Sequence, residues 1–565
     1  MPLSEHVPYE KILADLQDNS PGYSQRFRRQ SIVDNGLVSD VPKDNSNTSI
    51  FNPYESFYSI NPIAKFHVPK SGANGQTVAQ LIRDDLDLDG KPALNLASFV
   101  NTFIDPVAQQ LAVENLTKNM SDSDEYPALM NIHQRCISMI SHLWHVPEGN
   151  AAIGTCTTGS SEAIHLGGLA MKRRWEARQK ANGRPFDRPN ILMGANAQVA
   201  LEKFARYFDV EPRIIPVSDK SRNMLDLEKI YENLDENTIG IFVILGSTYT
   251  GSYEDVEGVS KILDKYQEDT GIDIPIHVDG ASGGLVAPFV HPHVKWDFSL
   301  PRVKSINTSG HKFGLTTAGL GWVIWSDTKY LPDNLIFLLK YLGGNEKSYT
   351  LNFSRPGHTV VHQYYNFLTL GYEGYKRVHS ASLYNARLFS KFLESTGYFQ
   401  CVSEIHRLNG DYVFDPTKEH ELTKTRDASL FNPGLPVVAF MLTDEFKQKY
   451  PEVPQAAIST LLRVKGYIIP NYPLPVNNEA KEVLRVVVRY TITLDLLDNL
   501  MEDIVQVVQT LISSARSLRE DPDVPVDDGH RKGIYKALLA LVSNPNVQEE
   551  HENEWKHLHR GASIC

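Results

Sequence analysis

Residues 274–284 read IPIHVDGASGG, and residues 307–314 read NTSGHKFG. The first runs apolar into Asp279, as a buried strand does before it turns, and glycines follow it. The second presents Lys312, 33 positions after Asp279, between polar residues and glycine. A carboxylate at a strand end and a lysine in a glycine-flanked turn are the two groups that a pyridoxal phosphate site needs. The amine takes the cofactor aldehyde as a Schiff base, and the carboxylate keeps the ring nitrogen protonated so that the ring can accept electrons. Either residue alone would be ordinary, since strand-end aspartates cap turns and most lysines are solvated.

Upstream, residues 155–175 read TCTTGSSEAIHLGGLAMKRRW. Gly159, Ser160 and Ser161 stand before a run with helical spacing, in which Ile164, Gly167, Leu169, Ala170 and Met171 contribute to an apolar side. Small residues there leave the first backbone N–H groups of the helix open, and the helix dipole favours an anion. Two adjacent hydroxyls add donors suited to a phosphate. Alone, GSSEA is equally an ordinary serine cap; followed in chain order by Asp279 and Lys312, it reads as the phosphate end of the same site.

Around these segments the chain alternates. Short apolar runs (ILMGANA, IGIFVILGS, IPIHVDG, SINTSG, LGWVIWS) are separated by helical segments such as VEGVSKILDKYQEDTG. The pattern predicts an α/β fold on a mostly parallel sheet, with ligands at the carboxyl ends of its strands. The expected organisation is a polar N-terminal extension and arm over 1–91, a large cofactor-binding domain over 92–378, a small C-terminal α/β domain over 379–518, and a linker with a short helical tail over 519–565. The small domain is expected to hold strands at LPVVAFML and EVLRVVVRY, a helix at VPQAAISTLLRVKG and a long helix from Leu494. In the tail, IYKALLALV puts Ile534 and Leu538 on one helical face.

Composition narrows the function class. The 565 residues are 41% apolar, enough to bury a large core, and the net charge is −12, against the basic face that a nucleic-acid partner needs. No apolar run approaches the roughly eighteen residues of a membrane span. The N-terminus has neither an apolar signal core nor an Arg-rich transit pattern. Cys136, Cys156, Cys401 and Cys565 are scattered without metal or disulfide spacing, so no metal site is expected and a reducing, cytoplasmic location is.

Further motifs extend the pattern: LASFVNTF (96–103), SDEYP (123–127), QVALEKFARYFDV (198–210), STYTG (247–251), YLGG (341–344), NFSRP (352–356), IIPNYPLP (468–475), LRVVVR (484–489) and RKGIYKALLAL (531–541). With these, the chain resembles the group II pyridoxal phosphate-dependent decarboxylases from about Asn95 to about Leu518. Within that group it is similar to the glutamate decarboxylases of yeasts and filamentous fungi. The resemblance implies the type I fold of the pyridoxal phosphate-dependent transferases, pyridoxal 5'-phosphate as cofactor, and decarboxylation of L-glutamate to 4-aminobutanoate and carbon dioxide in a homodimer or higher homo-oligomer.

The resemblance also implies roles. Lys312, Asp279 and Gln198 are the catalytic set, with Gln198 flat over the cofactor ring where many relatives carry histidine. Thr248 and Ala281 pack against the ring and its substituents. Ser309 joins Ser160 and Ser161 as phosphate ligands, His311 lies near the phosphate, and Ser354 is a phosphate ligand donated by the neighbouring subunit. Arg485 grips the α-carboxylate, its planar fork giving two parallel charge-assisted bonds. Ser98, Phe99 and Asp122 form the pocket for the distal carboxylate, which admits Asp122 if one of the two acids is protonated. Read from the residues alone, His311 is equally a packed histidine, and Arg485 or Arg489 a surface ion pair.

Two alternatives stand beside this reading. A decarboxylase of aspartate or of an aromatic amino acid would share the cofactor site, though an aromatic substrate would call for a larger apolar pocket and for histidine at position 198. A silent scaffold would have no need of Lys312, Asp279 and GSSEA together. Calmodulin is not expected as a partner: around IYKALLALV the tail offers only Arg531, Lys532 and Lys536, and VQEEHENEW after it is acidic. No nucleic-acid or membrane partner is expected.

Overall fold

The structure is a computed structural model that describes residues 68–339, 346–412, 425 and 427–520. Residues 1–67 of the expected N-terminal extension and arm, the YLGG motif, and the linker and helix after residue 520 lie outside the described residues. Contacts divide the chain into two units, Met1–Asp89 and Gly90–Cys565. In the first, the helix Gly75–Leu86 is capped by Asn74, whose side chain accepts from Gln76 N at 2.9 Å and Thr77 N at 3.3 Å.

The second unit is built on a seven-stranded sheet of β1 (Ile153–Thr157), β2 (Asn190–Gly194), β3 (Glu211–Ile215), β4 (Thr238–Ile244), β5 (Ile276–Asp279), β6 (Val303–Thr308) and β7 (Gly321–Trp325). The spatial order is β1-β7-β6-β5-β4-β2-β3. From β3 to β6 neighbours run parallel, while β7 is antiparallel to both β6 and β1. Every residue of β2, β4 and β5 is buried. That is why these segments read as unbroken apolar runs rather than as alternation: helices cover both faces of a parallel sheet. At the edge, β3 exposes Glu211 and Pro212, as a strand with one unpaired side can.

Helices return the chain between parallel strands, and their ends are specified locally. The helix Val256–Thr270, between β4 and β5, is capped by Asp255, which accepts from Gly258 N at 2.8 Å. It stops at Gly271, whose φ of 75° only glycine adopts without strain. The parallel strands therefore all end at one edge of the sheet. Gln198, Thr248, Asp279 and Ser309 follow or finish β2, β4, β5 and β6 at that edge.

A two-stranded ladder, β8 (Phe337–Leu339) with β9 (Glu346–Ser348), precedes the helix His358–Ser395. This helix kinks at Gly371 (φ 59°, ψ −174°) and continues through position 379, where the small domain was expected to begin. A second sheet follows, antiparallel throughout, in the order β10 (Phe399–Cys401), β11 (Val437–Leu442), β13 (Glu482–Val487), β12 (Asn471–Pro473). The strands β11 and β13 and the helices Gln455–Val464 and Leu494–Glu520 lie where the sequence predicts them. At three residues each, β10 and β12 are too short for a period to show. On the last helix Leu497, Leu500, Ile504, Val508, Leu511 and Ala515 are buried, a three-and-four spacing that sets one stripe on the sheet's core.

Candidate active site

Asp279 ends β5 and is 2% exposed. Its Oδ1 accepts from the backbone N–H of Ala281 at 3.0 Å and from Asn307 Nδ2 at 2.9 Å. Two N–H donors fix Oδ1 as an unprotonated acceptor and leave Oδ2 as the oxygen that can face a ligand. Asn307 is the register partner of Asp279 on β6, so the pair is a consequence of parallel strand alignment.

Lys312 lies in the turn beyond β6, where its backbone N–H donates to Ser309 O at 3.2 Å. Its Nζ is 3.4 Å from Ser282 Oγ and 5.3 Å from the centre of the Phe99 ring. Lys312, Asp279, Gln198, Thr248, Ala281 and Ser282 line one recess of about 260 Å³, together with Asn196. Gln198 also caps the helix Val199–Tyr207, its Oε1 accepting from Ala200 N at 3.2 Å. Thr248 brings a buried Oγ1 that has no hydrogen-bond partner among the described residues. Lys312 faces a second recess of about 240 Å³ with Asn101, Phe313, His379 and Arg489 among its walls.

The start of the helix Ser160–Ala181 adjoins this site. Ser160 Oγ and Ser309 Oγ are 2.7 Å apart, and the helix has no side-chain cap, so its first N–H groups remain open. A Cβ at Gly159 would meet His311 Cε1 at 3.3 Å, which places the imidazole against the same turn. His311 Nδ1 accepts from Leu320 N at 3.3 Å, leaving Nε2 to carry the ring proton. Burial, followed by the neighbouring Lys312 charge, pulls the His311 pKa down to about 4. Ser161 is exposed. An amine, a buried carboxylate, two hydroxyls at an open helix N-terminus and a vacant threonine hydroxyl form a donor set that fits an aldehyde-bearing, phosphorylated pyridine.

Arg485 is 3% exposed on β13. Its guanidinium donates to Thr248 O and to Ala97 O, each at 2.6 Å, and its Nε is buried with no partner among the described residues. The Phe99 ring lies between the two cations, 4.9 Å from Arg485 Cζ and 5.3 Å from Lys312 Nζ. Ser98 is held by Arg489, which donates to Ser98 O and Asn95 O at 2.6 Å each, and its hydroxyl accepts from Val100 N at 3.1 Å. Asp122 and Ser354 stand elsewhere. Asn119 Nδ2 donates to Asp122 Oδ1 and to Ser354 Oγ, both at 3.2 Å, and neither residue lines the Lys312 recesses.

Within one chain, then, Lys312, Asp279, Gln198, Thr248, Ala281, Phe99 and Arg485 come together, and Ser160, Ser309 and His311 join them at the helix start. The Asp122–Ser354 pair forms a separate cluster. Asn196, Ser282, Asn307 and Arg489 were given no role in the site although all four sit inside quoted segments. The signal for Ser282 was its place in DGASGG; for Asn307 it was the strand register, which no local pattern prints.

Residues 80–410 match the family model described as the pyridoxal-dependent decarboxylase conserved domain. The chain is 50% identical to a glutamate decarboxylase of Saccharomyces cerevisiae over 85% of each chain, and 42% identical to one of Solanum lycopersicum over 82% of this chain and 87% of that one. Among solved structures, a Lactobacillus brevis glutamate decarboxylase superposes with a TM-score of 0.73 at 35% identity, covering 81% of this chain and 97% of that chain.

Proposed function

This chain belongs to the pyridoxal-dependent decarboxylases, and from that premise we infer that it is a glutamate decarboxylase, a carboxy-lyase that releases carbon dioxide from L-glutamate and leaves 4-aminobutanoate. The observation that carries the reading is the single recess lined by Lys312, Asp279, Gln198, Thr248 and Ala281, in a chain half identical to a glutamate decarboxylase over most of its length. Pyridoxal phosphate, when bound, supplies the aldehyde that captures the substrate amine and the ring that accepts the electron pair left by carbon dioxide.

The protein's own groups do the rest. Lys312 would provide the amine that holds the aldehyde, and Lys312 or a nearby pocket acid would supply the proton to the α-carbon. Asp279 Oδ2 holds the proton on the ring nitrogen. Ser160, Ser161 and Ser309, with Nε2 of His311, receive the phosphate at the helix start, where the dipole favours an anion. Gln198, Thr248 and Ala281, which line the recess beside Lys312, would pack against the ring. Arg485 would take the α-carboxylate and so orient the bond that breaks. Ser98, Phe99 and Asp122 take the distal carboxylate.

Asp122 and Ser354 serve this site from a second copy of the chain, which makes the working form a homodimer or higher oligomer. Their position in a cluster outside the Lys312 recesses supports this. A cytoplasmic location accords with free, buried Cys136, Cys156 and Cys401, and no helix among the described residues is long and apolar enough to cross a membrane. The test is to load purified protein with pyridoxal phosphate, offer a panel of amino acids and measure carbon dioxide and amine release. Release from glutamate above all others is expected; preferential release from aspartate or an aromatic amino acid would replace the substrate.

A further inference from the structure

Asp279 ends a chain of four buried side chains on β5 and β6. Parallel register sets His277 opposite Ser305 and Asp279 opposite Asn307. His277 Nδ1 is 2.7 Å from Ser305 Oγ, His277 Nε2 is 2.8 Å from Asn307 Oδ1, and Asn307 Nδ2 is 2.9 Å from Asp279 Oδ1. None of the four is more than 2% exposed.

The hydrogen-bond directions are forced. Asp279 Oδ1 already accepts from Ala281 N, so Asn307 must turn its amide N–H₂ toward the carboxylate and its oxygen toward His277. That oxygen can only accept, so His277 carries its proton on Nε2, and bare Nδ1 accepts from the Ser305 hydroxyl. The imidazole is neutral, in keeping with burial drawing its pKa down to about 4. It is also clamped: a Cβ at Gly167 would overlap the ring, so the helix that opens the phosphate site rests directly on it, and Phe242 meets it edge-on at 5.5 Å.

We propose that His277, acting through Asn307, is a positioning residue that orients Asp279 toward the cofactor ring nitrogen and thereby sets how firmly that nitrogen keeps its proton. Without the Nε2–H donor, Asn307 Oδ1 is left buried with no donor opposite it, and the amide that donates to Asp279 loses the bond that fixes its plane and holds the carboxylate in line. The inference rests on Asp279 being the partner of the ring nitrogen.

The experiment loads the enzyme and its variants with ring-¹⁵N-labelled pyridoxal phosphate and follows the ring-nitrogen NMR shift against pH, beside the cofactor Kd, kcat and KM. In His277→Leu the pH at which the ring nitrogen loses its proton should fall by about one unit, a tenfold change in the protonation ratio. The value of kcat should fall with it and KM should change little. His277→Gln, whose amide N–H can reach Asn307 Oδ1, should recover most of the shift. Should His277→Leu fail to fold, Ser305→Ala provides the same reading: loss of the Nδ1 donor frees the tautomer, and the nitrogen should titrate lower than in the unsubstituted enzyme. A folded His277→Leu or Ser305→Ala that holds cofactor with an unchanged ¹⁵N titration would overturn the proposal. Asp279→Asn separates the two levels. If it leaves the ring-nitrogen signal unmoved, the reading of Asp279 fails; if it moves the signal and the His277 variant does not, only the relay fails.

Discussion

Asp279 and Arg485 stand on different sheets, and the sheets hold them in different ways. On the large parallel sheet, Asp279 is bonded by its own turn and by the neighbouring strand, with hydrogen-bond directions fixed back through Asn307 and His277. On the small antiparallel sheet, Arg485 spends its two terminal nitrogens on the carbonyls of Thr248 and Ala97, while its Nε has no partner among the described residues. The first group is satisfied and rigid apart from one oxygen. The second is a buried charge held by neutral acceptors, and an incoming carboxylate is a better partner than either carbonyl. The Asp279 side is therefore preformed, and on the proposed reading the Arg485 side would be completed by an incoming carboxylate.

The most severe way to break the large-sheet side is Lys312→Ala. Turnover should fall by more than about a thousandfold, as for loss of a covalent participant, and the visible absorbance of the lysine-bound cofactor should vanish. Cofactor can still bind through Ser160, Ser309 and the helix start, so equilibrium dialysis should find residual binding. Near-normal decarboxylation would remove Lys312 from its role.

Acid should weaken both regions through buried histidines. His133, His277 and His291, around the large sheet, are pushed by burial to pKa values of about 3, 4 and 3 from an ordinary 6.5. A histidine whose folded pKa is depressed leaves stability intact above the unfolded value and loses it as pH falls, because the unfolded chain takes up the proton first. Each contributes a slope of up to about 1.4 kcal/mol per pH unit below about pH 6.5. On the small domain, burial lowers the pKa of His406 as well, opposed by Glu394 at 2.9 Å, which also pairs with Arg407 at 2.9 Å. Chemical unfolding monitored between pH 7 and 5 should show falling stability with proton uptake; a flat profile would mean that these imidazoles are not held neutral.

Asp279→Asn tests the preformed end without removing any atom of the side chain's outline. The new amide must either face Asn307 Nδ2 with its oxygen, leaving its N–H₂ toward the ring nitrogen, or turn and set two donors together. Neither arrangement holds a proton on the ring, so kcat should drop about a hundredfold, roughly 2.7 kcal/mol of barrier, with cofactor retained. A loss under tenfold would break the pairing.

These contrasts also explain what could be read from the chain. Asp279, Lys312 and the Gly159–Ser160 turn were legible because each sits in a contiguous motif whose glycines and small residues mark a strand end or helix start. The large sheet was legible because its fully buried strands β2, β4 and β5 form unbroken apolar runs. The His277–Asn307 relay was not, because it exists only through the β5–β6 register. Nor was the place of Asp122 outside the Lys312 recesses: the resemblance implies a neighbouring subunit for Ser354 but names none for Asp122, which the fold sets beside the same Asn119. The helical run His358–Ser395 is interrupted only at Gly371 and passes through position 379 without a break.

On the small sheet, Arg485→Lys sharpens the comparison. Lysine keeps the charge but has no fork, so it cannot hold a carboxylate by two parallel bonds. The value of kcat/KM for glutamate should fall about tenfold, roughly 1.4 kcal/mol, while cofactor absorbance and Kd stay unchanged. Unaltered kinetics would return Arg485 to a purely structural role.

Arg489→Lys should change activity least, and it decides between two arginines of one chain segment. Both are buried and both donate to carbonyls, but their partners differ. Arg489 binds Ser98 O, Asn95 O, Val100 O and Pro92 O at 2.6, 2.6, 3.3 and 3.4 Å, tying the segment before Asn101 to the small domain. Burial lowers its pKa to about 10, still high enough to stay charged at neutral pH. Four acceptors on one guanidinium describe a staple, and a single ammonium cannot span them. Losing part of the staple should lower unfolding free energy by about 1–3 kcal/mol, while kcat/KM per cofactor-loaded site changes less than about threefold, roughly 0.6 kcal/mol. Because Arg489 also borders the second recess beside Lys312, the opposite pattern has a clear meaning. If stability held and glutamate turnover collapsed, the carboxylate grip would belong to Arg489, and Arg485 would be the staple.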